Sequence, residues 1–210
     1  MSDIFQLFQK IKTTTAPSAG PVDCIVACLG NPGRQYENTR HNVGFLVADY
    51  VSENRKFAID RMRFQSLTGE CIIQGKKALF LKPSTFMNLS GQAVVAAMQF
   101  YKIPVERLIV VHDDVSLEPG RLRIRPHGSD GGHNGLKNII SLTGSHQFPR
   151  IKIGVGAKPH PDYDMADWVL SVPCAEDRKR IEEAVARAND ALALLVEGQV
   201  AEAMNRYNAK

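Results

Sequence analysis

Three short polar segments of this 210-residue chain contain side chains that could hydrolyse a substrate. They are residues 30–42, 112–114 and 132–135. Histidine is the side chain that exchanges a proton near neutral pH, and a neighbouring carboxylate fixes which ring nitrogen carries the hydrogen. His41 and Asp113 therefore suggest a general base and the acid that orients it. A histidine at the start of a helix is often only a cap or a surface residue, so position alone leaves this alternative open.

The triplet His112-Asp113-Asp114 has two other interpretations, a metal site and a plain polar turn. A metal site needs several ligands in suitable geometry, and the chain has no HxxEH or HxH spacing. Asp113 follows an apolar run, which places it at the rim where open α/β sheets bind ligands. We therefore predict a site that works without a metal ion and without a cofactor.

Asn31, Asn88 and Asn134 each lie in a turn between apolar segments. Asparagine is common in turns for backbone reasons, which is the simpler explanation of any one of them. Together they suggest a pocket of neutral donors and acceptors able to bind peptide amides and to steady an oxyanion. Phe86 and Met87 would add an apolar wall, although such a pair is more often part of a core.

The glycine-rich segment 128–132 resembles a phosphate loop but fits neither GxxxxGK[ST] nor GxGxxG. We expect it to cover a cleft rather than to bind a nucleotide cofactor. The charge near it is more informative, and an ordinary solvated surface is the alternative to a phosphate-binding face. The residues concerned are Arg121, Arg123, Arg125, Lys137, Arg150 and Lys152.

Length and composition fit one folded domain, with 44% hydrophobic and 23% charged residues and a formal net charge of +4. No apolar run approaches the roughly 20 residues that span a bilayer. The four cysteines show no CxxC spacing, so we predict reduced core residues and a cytoplasmic protein. Residues 1–21 are expected to form a flexible extension and residues 22–210 the domain. An organelle transit peptide is the alternative for the extension.

Strand-like and helix-like segments alternate along residues 22–210, which predicts a single-domain α/β fold with a mixed, twisted sheet flanked by helices. The expected strands are 22–29, 66–74, 77–81, 108–111, 121–125 and 151–155. The expected helices begin after His41, at Ala93 with Ser90 as N-cap, at Asn134, at Pro173 and after Gly198.

In order and spacing, these motifs closely resemble bacterial-type peptidyl-tRNA hydrolase from about Val22 to Gln199. The motifs are Gly30-Asn31-Pro32-Gly33 to Arg40-His41-Asn42, Lys82-Pro83-Ser84-Thr85-Phe86-Met87-Asn88-Leu89-Ser90-Gly91, His112-Asp113-Asp114, Pro119-Gly120 and Gly131-Gly132-His133-Asn134-Gly135-Leu136. That family hydrolyses, without a metal, the ester between a peptide and the 3′-terminal ribose of tRNA. The resemblance thus implies an enzyme that recycles tRNA from prematurely released chains.

Roles follow from the resemblance position by position. His41 would activate water, Asp113 would orient it, and Asn31 would hydrogen bond near the histidine and the substrate. The implied peptide and tRNA-end pocket comprises Tyr36, Phe86, Met87, Asn88 and Asn134. The implied tRNA-binding residues are Arg125, His133, Lys137 and Lys152.

The chain departs from the family at two of these positions. The family often has lysine at the position of Arg125 and arginine at that of Lys152, so the charge is kept while the phosphate geometry differs. We expect a monomer with peptidyl-tRNA as its partner and no membrane contact. Two alternatives stay open, a non-catalytic RNA-binding protein of the same fold, like the plant organellar splicing factors, and an unrelated peptidase or amidase.

Overall fold

The computed structural model describes residues 20–208, so most of the predicted N-terminal extension lies outside the described residues. One seven-stranded sheet, in the order β2-β3-β4-β1-β5-β7-β6, organises this part of the chain. The strands are β1 (Cys24–Cys28), β2 (Arg61–Arg63), β3 (Ser66–Ile73), β4 (Lys76–Pro83), β5 (Leu108–Asp114), β6 (Leu122–Arg125) and β7 (Arg150–Gly154).

Six α-helices accompany these strands in residues 20–208: α1 (Val43–Arg55), α2 (Ser90–Tyr101), α3 (Asn134–Thr143), α4 (Met165–Val169), α5 (Ala175–Glu197) and α6 (Val200–Tyr207). Single 3₁₀ turns cover Arg34–Tyr36, Arg40–Asn42, Met87–Leu89 and Val105–Arg107. None of these helices combines the length and apolar character needed to cross a bilayer.

The sheet is mixed, as predicted. β4, β1, β5 and β7 run parallel, whereas β2 and β3 on one side and β6 on the other run antiparallel to their neighbours. Each face buries its own apolar cluster. α1, α5 and α6 cover the face that carries Val26 and Val111, and α2 and α3 cover the face that carries Ile25 and Val110. The fold is a single-domain α/β structure.

Several predicted features are wrong in detail, and two of them are helix starts, since α2 begins at Ser90 rather than Ala93 and α5 at Ala175 rather than Pro173. Ser90 does not cap α2 by its side chain, because the preceding 3₁₀ turn makes the chain helical already and the Ser90 hydroxyl donates back to the Met87 carbonyl at 2.8 Å. Cys174 is exposed, unlike the other three cysteines. β1 is shorter than predicted, and β5 extends through Asp114 because it pairs with β7 as far as Gly154.

Candidate active site

The carboxyl ends of the parallel strands open into one cleft of about 570 Å³. Parallel strands end at the same edge of a sheet, so the loops that follow them converge there. Among the residues that line the cleft are Asn31, His41, Phe86, Met87, Asn88, His112, Asp113, Asp114, His133, Asn134 and Lys152. The three polar segments singled out in the sequence therefore meet at one place.

His41 reaches the cleft from the 3₁₀ turn that leads into α1. This turn lies tight against the sheet because Gly44 has no side chain. A Cβ atom there would stand 2.4 Å from the Leu29 carbonyl oxygen and 2.7 Å from that of Val111. The close approach puts the His41 Nδ1 atom 2.9 Å and 3.0 Å from the two carboxylate oxygens of Asp113.

This contact decides the charge and tautomer of His41. Burial lowers the pKa of the imidazole, but the charge and hydrogen bond of Asp113 outweigh it and raise the pKa above its usual value. An ionised carboxylate only accepts hydrogen bonds, so Nδ1 donates and Nε2 keeps its lone pair. His41 is thus equipped to accept a proton at Nε2.

Asp113 is almost fully buried in the penultimate position of β5. Burial alone would raise the pKa of its carboxyl group, yet His41 and His133, which both donate to it, hold that pKa well below its usual value. Removing an ion from water is costly unless several hydrogen bonds compensate. The two imidazoles supply those bonds, so the carboxylate stays ionised.

Asn31 and Asn42 join the segment after β1 to the 3₁₀ turn that contains His41. The Asn42 side chain accepts from the Asn31 backbone N–H at 2.8 Å and donates to the Asn31 carbonyl at 2.9 Å. The Asn31 side-chain oxygen then accepts from the Met87 N–H at 2.8 Å. Its Nδ2 atom makes no hydrogen bond within residues 20–208 and is available to a ligand.

Arg40 is a residue that the motif contained but to which the sequence analysis gave no role. It is buried, its Nη1 atom donates to the Val155 carbonyl at 3.1 Å, and its guanidinium stacks 3.9 Å from the Trp168 ring. Its Nε atom also donates to the Ser171 hydroxyl. Arg40 therefore ties the turn that carries His41 to the segment around α4. Its direct sequence neighbour His41 was the signal that could have drawn attention to it.

One wall of the cleft was missed altogether. Helix α4 and the residue after it supply Met165, Ala166, Val169 and Leu170 to the lining. Five residues are too few to show a helical period, so no apolar pattern marked this helix. This wall is apolar and faces a cleft whose other residues are mainly polar.

His112 lines the same cleft but does not serve as a base. Burial, followed by the nearby His133, lowers the pKa of His112 to about 3. Its Nδ1 atom lies 2.6 Å from the Asp113 carbonyl oxygen and donates to it. The Nε2 atom is buried and has no partner among the described residues. His112 therefore stays neutral and fixes the backbone at Asp113.

His41, Asp113 and His133 form the only group among the described residues with the spacing of three metal ligands, since their donor atoms lie within 4.8 Å of one another. Both imidazoles lie at ordinary N–H···O distances from Asp113, 2.9 and 3.0 Å. We interpret the three as a hydrogen-bonded set. The sequence prediction of catalysis without metal stays a prediction that a chelator tests directly.

The residues predicted to bind substrate surround this set. Phe86, Met87, Asn88 and Asn134 all line the cleft, with Met87 buried and the other three exposed. Tyr36 does not line it, but its ring packs edge-on against Phe86 at a centroid distance of 6.5 Å. All five predicted positions thus lie in the cleft wall or against it.

The predicted basic face is only partly correct. Arg125 and Lys137 are exposed, and Lys152 is partly exposed in an ion pair with Asp114. Arg150 is buried instead, because its guanidinium donates to the backbone carbonyls of Gly128 and Ser129. Including Arg150 in this face was wrong. These hydrogen bonds hold the glycine-rich loop in place. Asp130, Gly131 and Gly132 of that loop line the cleft.

A buried histidine–aspartate pair lies at the carboxyl edge of the mixed sheet, beside amide side chains and an apolar wall, and this arrangement suits general-base hydrolysis. The sequence profile described as Peptidyl-tRNA hydrolase matches residues 25–210. Peptidyl-tRNA hydrolase from Agathobacter rectalis is 49% identical over 185 residues, 88% of this chain and 99% of that protein. The protein of the same name from Caldanaerobacter subterraneus subsp. tengcongensis is 50% identical over 184 residues, 88% of this chain and 98% of that one.

A solved structure agrees with these sequences. The crystal structure of peptidyl-tRNA hydrolase from Acinetobacter baumannii matches with a TM-score of 0.84 and 32% identity, covering 91% of this chain and 98% of that one. The chain belongs to the peptidyl-tRNA hydrolase family. The family and the enzyme class predicted from the sequence are confirmed, and peptidyl-tRNA is the substrate that the family implies.

Proposed function

We propose that His41 is the general base of peptidyl-tRNA hydrolysis and that Asp113 orients it. The observation that carries this proposal is the hydrogen bond from His41 Nδ1 to the buried Asp113 carboxylate at the floor of the cleft. It leaves the Nε2 atom of His41, which lines the cleft, as the proton acceptor. One positioned base of this kind typically contributes about 10²–10⁴-fold to the rate.

The reaction then proceeds by attack of water on the ester carbonyl. His41 Nε2 takes one proton as the water oxygen bonds to the carbonyl carbon, and the carbonyl oxygen becomes an oxyanion. Collapse of this intermediate breaks the bond to the 3′-oxygen of the ribose, which takes the proton back from His41. The products are a free peptide carboxyl group and tRNA with its 3′-hydroxyl restored.

Three amides are suited to bind the acyl group in this reaction. Asn31 offers its Nδ2 atom, and the exposed amides of Asn88 and Asn134 lie in the wall of the same cleft. Neutral donors stabilise a developing oxyanion without the desolvation cost of a buried cation. We assign Phe86 and Met87 to the apolar side of the peptide site and Tyr36 to its rim.

The tRNA is proposed to lie along the exposed cations beside the cleft. Arg125 on β6, Lys137 on α3 and Lys152 on β7 are the residues we assign to its phosphates, with His133 at the border of cleft and face. Phosphate contacts of this type give binding energy that falls with rising salt. The antiparallel pairing of β6 with β7 brings two of these strands together at the edge of the sheet.

We also propose a monomer that works in the cytoplasm. The cleft is formed by one chain, with all members of the catalytic set on the same copy. Three buried cysteines without disulfide bonds fit a reducing compartment. Sedimentation of the purified chain tests the oligomeric state, and a stable dimer at working concentration would contradict it.

Cleavage of N-acetyl-aminoacyl-tRNA in the presence of EDTA tests the proposed mechanism. We expect full activity of the wild type and a loss of about 10²–10⁴-fold in kcat for His41→Ala. His146→Ala is the matched control, because that histidine is exposed and does not line the cleft. Loss of wild-type activity on chelation would contradict the metal-free mechanism and indicate a metal site. Tight tRNA binding without cleavage would indicate an RNA-binding protein, and cleavage of free peptide amides a peptidase.

A further inference from the structure

A second imidazole, that of His133, contacts the carboxylate to which His41 is hydrogen-bonded. The His133 Nε2 atom lies 3.0 Å from Asp113 Oδ1, the oxygen that His41 Nδ1 also contacts at 2.9 Å. The two histidine rings are 5.0 Å apart. We propose that His133 is a positioning residue that sets the proton affinity of His41 by sharing Asp113 with it. This inference rests on the proposed function and gives His133 a task beyond tRNA contact.

The hydrogen-bond pattern fixes His133 as a donor to Asp113. Its Nδ1 atom accepts from the Leu136 backbone N–H at 3.3 Å, as the N-cap of α3. A neutral imidazole that accepts at one nitrogen carries its hydrogen on the other. The N–H at Nε2 therefore points at Asp113, and the cap of α3 holds the ring in this tautomer.

This donor weakens the hold of Asp113 on the His41 proton. A carboxylate raises the proton affinity of a neighbouring imidazole by its charge and by accepting a hydrogen bond. A second N–H aimed at the same oxygen draws on that charge and leaves less of it for His41. His41 is thereby kept a base that can release its proton again to the leaving ribose oxygen, as the proposed cycle requires.

The other charged and titratable groups around the set make their contacts with other partners. From β5 and β7 come neutral His112 and the ion pair of Asp114 with Lys152. Arg40, beside His41, is paired with Asp177 at the start of α5. Helix α4 presents only apolar side chains to the cleft, and the glycine-rich loop adds Asp130 to its wall. His133 is thus the second donor that contacts Asp113 directly.

Direct contact with tRNA is the alternative role for the His133 ring. Both ring nitrogens of His133 are engaged within the protein, and only 8% of its side chain is exposed. A residue that only contacts tRNA would change KM and leave the titration of His41 untouched. A positioning residue would change that titration in the substrate-free enzyme.

Two substitutions separate the two hydrogen bonds of His133. His133→Asn keeps a side-chain cap for α3, since asparagine is among the best N-cap residues, but it cannot reach Asp113 as a donor. His133→Gln is the matched control, because its longer amide places an N–H near the position of Nε2. Both variants are compared as the full-length chain with the wild type.

The experiment is an NMR titration of the His41 ring without substrate, combined with the pH profile of kcat/KM for N-acetyl-aminoacyl-tRNA. In His133→Asn we expect the His41 pKa to rise by roughly one unit, since one hydrogen bond to a charged group is worth about that much. The acidic limb of the profile should move with it, and below that pKa activity should fall up to about tenfold. His133→Gln should restore the wild-type titration.

The outcomes separate this inference from the proposed function. An unchanged or lowered His41 pKa in His133→Asn overturns the inference, whatever happens to KM. A shifted His41 titration that the kcat/KM profile does not follow keeps the coupling between the rings but contradicts His41 as the base. A raised KM with an unshifted titration assigns His133 to tRNA contact alone.

Discussion

The cleft around Asp113 and the basic face of Arg125, Lys137 and Lys152 hold their charges in opposite ways. In the cleft, one carboxylate is buried and surrounded by donors at fixed distances of 2.9–3.0 Å. On the face, Arg125 and Lys137 extend into solvent, where charges are screened by salt. The charges of the cleft are therefore held at fixed distances, whereas those of Arg125 and Lys137 are open to solvent.

Two arginines on adjacent strands show the same contrast within one ladder. Arg125 and Arg150 are register partners across β6 and β7 and point to the same side of the sheet. Arg125 is exposed, whereas Arg150 is 2% exposed, lies 4.5 Å above the Phe148 ring and holds the glycine-rich loop. Arg125 ends the edge strand β6, whereas Arg150 begins the interior strand β7 and donates to the glycine-rich loop packed over it.

Among the substitutions that test this contrast, Asp113→Asn in the cleft should have the largest effect on activity. We expect kcat to fall by about 10²–10⁴-fold, because a neutral amide does not balance the charge of protonated His41 and no longer fixes one tautomer of its ring. The His41 pKa lies above its usual value in the wild type, so activity is lost as the pH falls through that raised value. Without the carboxylate only burial acts on His41, which lowers its pKa.

The pH profile of kcat/KM measures this change. Its acidic limb should move to lower pH in Asp113→Asn, opposite in sign to the movement expected for His133→Asn. Asp167→Asn is the control, since that carboxylate is exposed and does not line the cleft. An acidic limb that stays in place would show that Asp113 does not set the pKa of His41.

Replacing Arg150 by leucine tests the buried member of the arginine pair. The change leaves carbonyl oxygens of the glycine-rich loop without their donor, so we expect the free energy of unfolding to fall by about 3 kcal/mol. Urea denaturation measures this, with Arg125→Leu as the matched control that should change it by less than about 0.5 kcal/mol. Equal losses in both variants would contradict the contrast between the two arginines.

Removing positive charges from the basic face should have the smallest effect on the enzyme, and this effect should be on KM. For Arg125→Ala combined with Lys152→Ala we expect a higher KM for full-length tRNA, an unchanged kcat, and a log–log salt slope that is shallower by about one to two units. Lys102→Ala is the control, because that exposed lysine follows the end of α2. An unaltered salt slope would remove both residues from the tRNA-binding face.

Much of the fold could be predicted from the sequence because apolar periodicity repeats over long stretches. The alternation of strands and helices gave the mixed α/β class, and helix α1 after His41 followed from the spacing of Val43, Val47 and Val51. Short elements escaped prediction. β2 and α4 have three and five residues, which is too few to display a period.

Part of the site was also visible in the sequence. Histidine, aspartate and asparagine in three turns at strand ends indicated which side chains would meet, since such turns converge at one edge of a parallel sheet. The family resemblance supplied their expected roles. The sequence did not indicate that Arg40 braces the turn beside His41, because that contact joins residues more than 100 positions apart.

The amino-acid sequence by itself determined the family, the fold class and the set of side chains gathered at the cleft. Only the tertiary structure decided how these side chains share their hydrogen bonds. Two histidines contact the same oxygen of Asp113, and Arg150 is buried while Arg125 is exposed. The reason is physical: residue type sets what a group can donate or accept, whereas burial and distance set which partner it has. Both depend on segments that are remote in the chain.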